Sequence, residues 1–464
     1  MLNLGVTKTK QLLMKKLILL VAAAALLAAG CQNLPIKTKV PARPAGQENV
    51  LGLTADPIAN VRVGVVGLGD RGGWAAVRLT YVPGCTVTAV CDIEADRVET
   101  ACERVVERGC ARPAEYVGEK AYLDLCKSDD VDLVYICTDW KMHVPIALAA
   151  MENGKHAAVE VPSATSLQEC WALVNMSEKT RKHCAILENC CYDFFEMSAL
   201  AVAQAGVFGD IVHAEGAYIH NLGPWWGGYY KNWRWEFNRV HRGDVYATHG
   251  LGPVCQALNI HRGDRLKTLV SMDTDAFTGR KVSGDENFAN GDQTSTLIRT
   301  EKGKTILIQH NVMNPRFYDR MYQLVGTEGY AGKYPIEQIL LSSEMDETGE
   351  VNAKDLVEEV PLSPEQMEML FAKYPTPVLT PELTELAKEV GGHGGMDFIM
   401  DYRLIYCLNN GLPLDEDVYD LAEWSCIGEL SRISIEHGSA PVEFPDFTRG
   451  DWDKVDGFHY AFAE

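Results

Sequence analysis

The feature that most limits what this chain can fold into is the run Val61-Arg62-Val63-Gly64-Val65-Val66-Gly67-Leu68-Gly69-Asp70-Arg71-Gly72. Residues 61–66 have the length and β-branched content of a buried parallel strand. They stop at Gly67-x-Gly69-x-x-Gly72, ahead of a helix-compatible segment at 74–79. In a strand, tight turn and helix of this kind, the first glycine turns the chain, the second lets backbone approach a pyrophosphate, and the third lets helix and strand pack closely. The first N–H groups of the helix then face the anion. A second apolar strand at 86–91 ends at Asp92, where a carboxylate accepts the adenosine ribose hydroxyls and repels a 2'-phosphate. The expected cofactor is therefore NAD rather than NADP.

The pattern that begins there continues. Helical spacing at 95–108, 144–153 and 166–182 alternates with apolar strands at 131–137, 156–159 and 184–187, which predicts a doubly wound parallel sheet over 59–190. Beyond residue 190 the pattern changes to hairpin-like strands at 211–220, 267–272, 294–299 and 305–310, with Glu301-Lys302-Gly303-Lys304 as a turn. Helical spacing returns at 383–390, 395–408 and 416–435. The expected fold class is α/β: an N-terminal Rossmann domain, then an α+β domain over 191–464 with a mostly antiparallel sheet and C-terminal helices packing back. The acidic stretch 342–360 reads as a solvated insertion.

Residues 1–30 carry Lys8, Lys10, Lys15 and Lys16, no acid, and an apolar run at 17–29 too short for a membrane span. They read as an export signal. Leu27-Ala28-Ala29-Gly30-Cys31 is similar to a bacterial lipoprotein signal, with Cys31 as the acylated mature N-terminus and the periplasm or outer membrane as destination. Residues 31–58, with Pro35, Pro41, Pro44 and Pro57, lack apolar periodicity and read as a flexible tether. The formal charge is −21, and removal of the four lysines makes it more negative, which argues against nucleic acid as a partner. Of fourteen cysteines, those such as Cys91, Cys137 and Cys184 sit in apolar patterns and read as small buried hydrophobes. No pair or Cys/His cluster has zinc spacing, and no metal is expected.

The glycine turn, Asp92 and "VDLVYICTDWKMHVPIALAAMENGKHAAVEVPSA" together resemble the glucose-fructose oxidoreductase and inositol dehydrogenase superfamily. Within it, "ENCCYDFFEM", "NWRWEFNRVHRGDVYATHGLGPVCQALNIHRGDR", "NPRFYDR" and "GGHGGMDFIMDYRLIYCLNNGLPLDEDVYDLAEWS" resemble glycoside hydrolase family 109, the NAD-dependent α-N-acetylgalactosaminidases. Many dehydrogenases of the superfamily have Glu-Lys-Pro after the fifth strand, with the lysine beside the reacting hydroxyl. This chain has Glu160-Val161-Pro162, and valine cannot move a proton.

The resemblance implies a redox-neutral cycle. Hydride passes from sugar C3 to NAD, the ketone acidifies the C2 proton, the C1 substituent is eliminated, water adds, and the hydride returns. NAD-dependent glycosidases lie outside the two-carboxylate scheme, so no flanking carboxylate pair is required. An exported enzyme has no cytoplasmic NAD pool, which such a cycle does not need. The alternative is a sugar oxidoreductase of the same superfamily, either a 3-dehydrogenase or a sugar-sugar oxidoreductase.

For cofactor contacts the resemblance implies Gly67, Gly69, Asp70, Arg71, Gly72, Asp92, Trp140, Lys141, Met142, His143, Glu160, Val161 and Asn189. For the sugar it implies Tyr218, Arg234, Tyr246, Ala247, Thr248, His249 and Tyr318. His249 is the preferred catalytic base, since imidazole titrates near neutrality. Tyr192 follows the last Rossmann strand, where its phenol either reaches substrate or packs between domains. Trp225, Trp226, Trp233 and Trp235 crowd a Gly-rich loop whose flat faces suit a pyranose, and at least two of them are expected to anchor the loop. His393 and Asp397, four apart, share a helix face and are placed to orient substrate or each other. A glycan substrate and a homo-oligomer complete the expectations.

Overall fold

The computed structural model describes residues 35–223, 233–356 and 360–463. Strands β1 (Val61–Val66), β2 (Cys85–Asp92), β3 (Ala114–Val117), β4 (Leu133–Ile136), β5 (His156–Val159) and β6 (Cys184–Ile186) form one parallel sheet in the order β3-β2-β1-β4-β5-β6. Helices α1 (Asp70–Arg78), α2 (Ala95–Glu107), α3 (Tyr122–Lys127), α4 (Trp140–Glu152) and α5 (Leu167–Thr180) connect them. All residues of β4 and β5 are buried, which is why these strands read as unbroken apolar runs: helices cover both faces. β3 escaped the sequence reading because it is an edge strand, Ala-Glu-Tyr-Val, with three of its four residues exposed. Strand order reverses between β1 and β4, so a crevice opens beyond their C-terminal ends, where Gly67 and Thr138 lie.

The second domain runs through α6 (Phe194–Gln204), β7 (Ile211–Ile219), α7 (Trp233–Val240), α8 (Thr248–Ala257), β8 (Leu266–Asp273), α9 (Phe277–Ser283), β9 (Thr294–Thr300) and β10 (Thr305–Asn311). There follow β11 (Gln323–Gly326), β12 (Gly329–Gly332), β13 (Gln338–Leu341) and a separate hairpin of β14 (Ser343–Met345) and β15 (Val351–Leu356), which falls in the acidic insertion. The chain ends with α10 (Pro364–Lys373), α11 (Pro381–Val390), α12 (Met396–Asn410), α13 (Val418–Ser425), α14 (Ile427–Glu436) and β16 (Val442–Glu443). Its large sheet has the order β13-β12-β11-β7-β10-β9-β8-β16 and is antiparallel except for the parallel pair β7 and β10.

The C-terminal helices do pack back. On α12, Asp401 accepts from Arg78 Nε of α1 at 2.6 Å and from the Tyr135 hydroxyl of β4 at 2.8 Å, all three fully buried. Breaking such a pair on one side leaves an uncompensated buried charge, at a cost of about 3–5 kcal/mol. This helix therefore welds the two domains over the crevice.

The tether expectation is corrected in its described part. Ile36 bridges Val442, Val50 and Leu53 are buried, and Arg43 reaches Glu178 on α5. A proline-rich chain shows no helix or strand period, yet isolated apolar side chains and backbone N–H groups suffice to lay it along a surface. The thirteen described cysteines are all unpaired, as their apolar settings imply.

Candidate active site

Gly67 holds φ at +87°, and a Cβ there would stand 2.7 Å from the Cys137 backbone; at Gly72 it would stand 1.8 Å from Gly67 O. Only glycine closes this turn. At Gly69 a Cβ would meet nothing within 4 Å, and no side chain caps the first N–H groups of α1. An open cradle of uncapped N–H groups suits a diphosphate. Asp92 is 6% exposed and its Oδ2 accepts from Leu68 N at 2.6 Å, which fixes the carboxylate at the end of β2 beside the turn, as a ribose partner requires. Asp70 is exposed at the start of α1, so it is the backbone of 70 and 71 that faces the cradle.

The Arg71 guanidinium turns instead to Glu160 Oε1 and to Asp397 Oδ2, both at 2.5 Å. Burial opposes its charge, but Glu160 and Asp397 outweigh burial and raise its pKa. Asp397 also accepts from Asn189 Nδ2 at 2.7 Å and lies 3.5 Å from Arg78 Nη1. Burial alone would raise its pKa, yet Arg71, His393 and Arg78 hold it well below the usual carboxylate range.

His143 and Trp140, both expected at the cofactor, are buried side chains with protein partners. His143 is 1% exposed, with Nδ1 3.0 Å from Pro162 O and Nε2 3.1 Å from Thr138 O, and burial lowers its pKa. The neutral ring has one N–H to donate, and it sits between the turn before α4 and the segment after β5. Trp140, 3% exposed, packs on Trp233, Phe237 and Tyr246, the last of these expected at the sugar. Lys141 is exposed, Met142 half-buried, and Val161 buried.

The residues expected at the sugar gather around His249, the second residue of α8. This helix presses onto β7 so closely that a Cβ at Gly250 would stand 2.2 Å from Ala217 N, and one at Gly252 2.9 Å from Glu188 Cγ. The closeness brings His249 Nδ1 to 2.6 Å from Glu188 Oε1, which also accepts from Cys190 N at 3.1 Å. Glu188 is fully buried; burial raises its pKa, but His249 and the hydrogen bonds prevail and lower it. An ionised Glu188 places the proton on Nδ1 and leaves Nε2 as the basic atom, the arrangement in which a carboxylate orients a catalytic imidazole. Glu188 was not singled out from sequence. Its signal was an acid beyond the C-terminal end of a Rossmann strand, where ligands bind.

Around the ring stand Tyr246 at 5.0 Å and Tyr218 at 5.2 Å, edge to face. The Arg234 guanidinium, 4% exposed, lies 4.4 Å over Tyr246 and 5.3 Å over Trp140. Tyr218 Oη meets His220 Nδ1 at 2.9 Å, and the Tyr318 ring is 5.1 Å from His220. Burial, followed by Arg234, lowers the His220 pKa, so a neutral imidazole accepts the phenol proton. Trp233 packs on Trp140, and Trp235 on Phe288 at 5.0 Å, both from α7; Trp225 and Trp226 lie outside the described residues.

Tyr192 is placed otherwise than a catalytic phenol would be. Its hydroxyl is 3.4 Å from Asp415 Oδ2, a carboxylate gripped by Arg403 at 2.7 Å, and burial pushes its pKa well up. This is the packing role. Ala247 and Thr248 are buried and line a cavity of about 380 Å³ shared with Pro162, Asp244 and Trp424, whereas Tyr246 and His249 supply the ring cluster. Glu188, Cys190 and His249 place ligand-type atoms within 4.8 Å of one another. The Cys190 thiol leans on Asn189 Oδ1 at 3.5 Å, and burial raises its pKa well above the ordinary value.

Comparison with known proteins agrees with this geometry. Residues 61–187 match the oxidoreductase family with an NAD-binding Rossmann fold, and residues 192–454 match the C-terminal domain of glycosyl hydrolase 109. Among solved structures, scyllo-inositol dehydrogenase from Lactobacillus casei with bound NAD(H) and scyllo-inositol superposes with a TM-score of 0.58 at 14% identity, covering 83% of this chain and 99% of that one. Levoglucosan dehydrogenase in complex with NADH gives 0.61 at 17% identity, over 83% and 100%. These likenesses show the fold. A glycosyl hydrolase family 109 protein of Bacteroides thetaiotaomicron is 58% identical over 438 residues, covering 93% of this chain and 94% of its own. One from Porphyromonas gingivalis is 56% identical over 438 residues, 93% of each. With an NAD-binding Rossmann domain followed by that C-terminal domain, the chain belongs to glycosyl hydrolase family 109.

Proposed function

We propose that this protein is an exported glycosidase that removes terminal α-linked N-acetylgalactosamine from glycans by an NAD-dependent, redox-neutral cycle. The observation that carries this reading is the His249–Glu188 pair, set in an aromatic and arginine-lined wall beside the NAD-binding crevice. Bound NAD supplies reversible removal and return of a hydride at C3. His249 Nε2 takes the C2 proton, while Glu188 stabilises the imidazolium that forms. Tyr218, hydrogen-bonded to His220, is placed to exchange a proton with a sugar hydroxyl, and Arg234 donates to hydroxyl or acetamide oxygens. Tyr246 and Trp140 cover the sugar's apolar face and exclude water. Val161 leaves the end of β5 without the lysine of a simple dehydrogenase.

The same reading includes the lipoprotein signal with Cys31 as anchor, which lies outside the described residues, and self-association. Val270, Met272 and Leu297 stand exposed together on the outer face of the large sheet, which suits a second copy of the chain.

The test is incubation with a chromogenic α-N-acetylgalactosaminide without added NAD. Aglycone release, with deuterium entering C2 of the freed sugar in heavy water, is expected. Steady ketosugar formation without release would replace this reading with the oxidoreductase one.

A further inference from the structure

A second histidine backed by a buried carboxylate stands at the rim of the crevice, unused by the chemistry above. His393 lies in Gly391-Gly392-His393-Gly394-Gly395, between α11 and α12, where five successive residues have positive φ, from 48° at His393 to 109° at Gly395. That region is open to glycine and unfavourable for histidine. A Cβ at Gly392 would stand 2.7 Å from Asp397 Oδ2, so the loop is laid directly on that carboxylate. His393 Nδ1 is then 3.0 Å from Asp397 Oδ2, while its side chain remains 59% exposed. Unfavourable backbone that fixes an exposed ring points to a demand other than folding.

The surroundings say what the demand is. Asp397 gathers Arg71 and Asn189, both expected at the cofactor, and Arg71 Nη1 is also 3.4 Å from His393 Nδ1. On the other side Asn189 directly follows Glu188, the partner of His249. The ring therefore lies between the glycine turn of the Rossmann domain and the sugar wall, over the stretch a dinucleotide must cross. With Nδ1 engaged by Asp397, Nε2 is the edge left to meet a ligand.

We propose that His393 is a cofactor-binding residue contributed by the C-terminal domain, its Nδ1 donating to Asp397 and its Nε2 accepting from a hydroxyl of the nicotinamide ribose. Asp397 is the positioning residue that holds both His393 and Arg71 for this task. The dinucleotide is thereby clamped from both domains, and it leaves only when the 391–395 loop lifts. The inference rests on NAD binding and not on which sugar reaction follows.

The experiment follows NADH fluorescence as NADH leaves the loaded full-length protein into excess NAD. His393→Ala is expected to release NADH roughly two- to tenfold faster than the parent, the loss of one hydrogen bond. His393→Gln, which keeps an acceptor, is expected to fall between the two. Without cofactor, His393→Ala is expected to unfold at the parent's temperature, since the ring is exposed. Unchanged NADH release from His393→Ala overturns the proposal, as does faster release accompanied by an equal loss of cofactor-free stability. Faster release in the variant, with no aglycone freed by the parent, supports the clamp and overturns the glycosidase reading instead.

Discussion

At the scale of single residues, the site depends on which nitrogen of His249 carries a proton, and Glu188 decides that. His249→Ala is expected to lower kcat by about 10²–10⁴-fold with KM little changed, and Glu188→Gln to lower it by about 10²-fold and alter the pH profile of kcat. Steady-state kinetics on the chromogenic glycoside checks both. Tyr192→Phe is expected to leave kcat unchanged and cost about 1 kcal/mol of stability, because its hydroxyl serves Asp415.

Asp244 gives a pH signature of its own. Fully buried beside the 246–249 segment, it has its pKa pushed up to about 7 by burial, opposed only by a backbone hydrogen bond from Tyr246. The folded state then holds this proton more tightly than the unfolded chain, so stability is highest below the unfolded carboxylate range and is lost as pH rises toward 7. Asp244→Asn is expected to remove that loss, up to about 4 kcal/mol, raising Tm at pH 8 more than at pH 4. Thermal unfolding at the two pH values measures it.

At the scale of elements, the β1–α1 turn separates folding from binding. Gly72→Ala drives a Cβ into Gly67 O and is expected to prevent soluble expression. Gly69→Ala meets nothing within 4 Å in the protein, so it is expected to keep the cofactor-free Tm and weaken NAD binding by about tenfold or more, as calorimetric titration would show. Helix α8 makes the complementary point. Its THGLGP sequence reads as a glycine-broken, indifferent helix, yet Gly250 and Gly252 are what allow it to reach β7 and Glu188. Periodicity identified β1, β2, β4, β5 and β6 because both of their faces are buried. It missed β3, an exposed edge, and misread 35–58, whose packing uses scattered residues with no period.

At the scale of the whole molecule, cofactor and fold support each other. NAD binding across a crevice bridged by α12 is expected to raise Tm by several degrees, and NADP by much less, since Asp92 repels a 2'-phosphate. Stripping the cofactor and titrating each dinucleotide in a thermal-shift assay checks this.

His249, Arg234 and the tyrosines entered through the family resemblance, while the sequence by itself determined the Rossmann half, its expected preference for NAD and the change to a mixed second domain. Those features are written in local order: a strand period, a glycine spacing, an acid at a strand end. Only the tertiary structure decided that Glu188 orients His249, that the Tyr192 hydroxyl turns to Asp415, and that Asp397 gathers Arg71, Asn189 and His393. Partners such as Glu188 and His249, 61 positions apart, or Arg71 and Asp397, 326 apart, leave no mark in any local pattern. They meet only because α8 and α12 close over the same crevice, and burial there makes each carboxylate commit to the cation it finds.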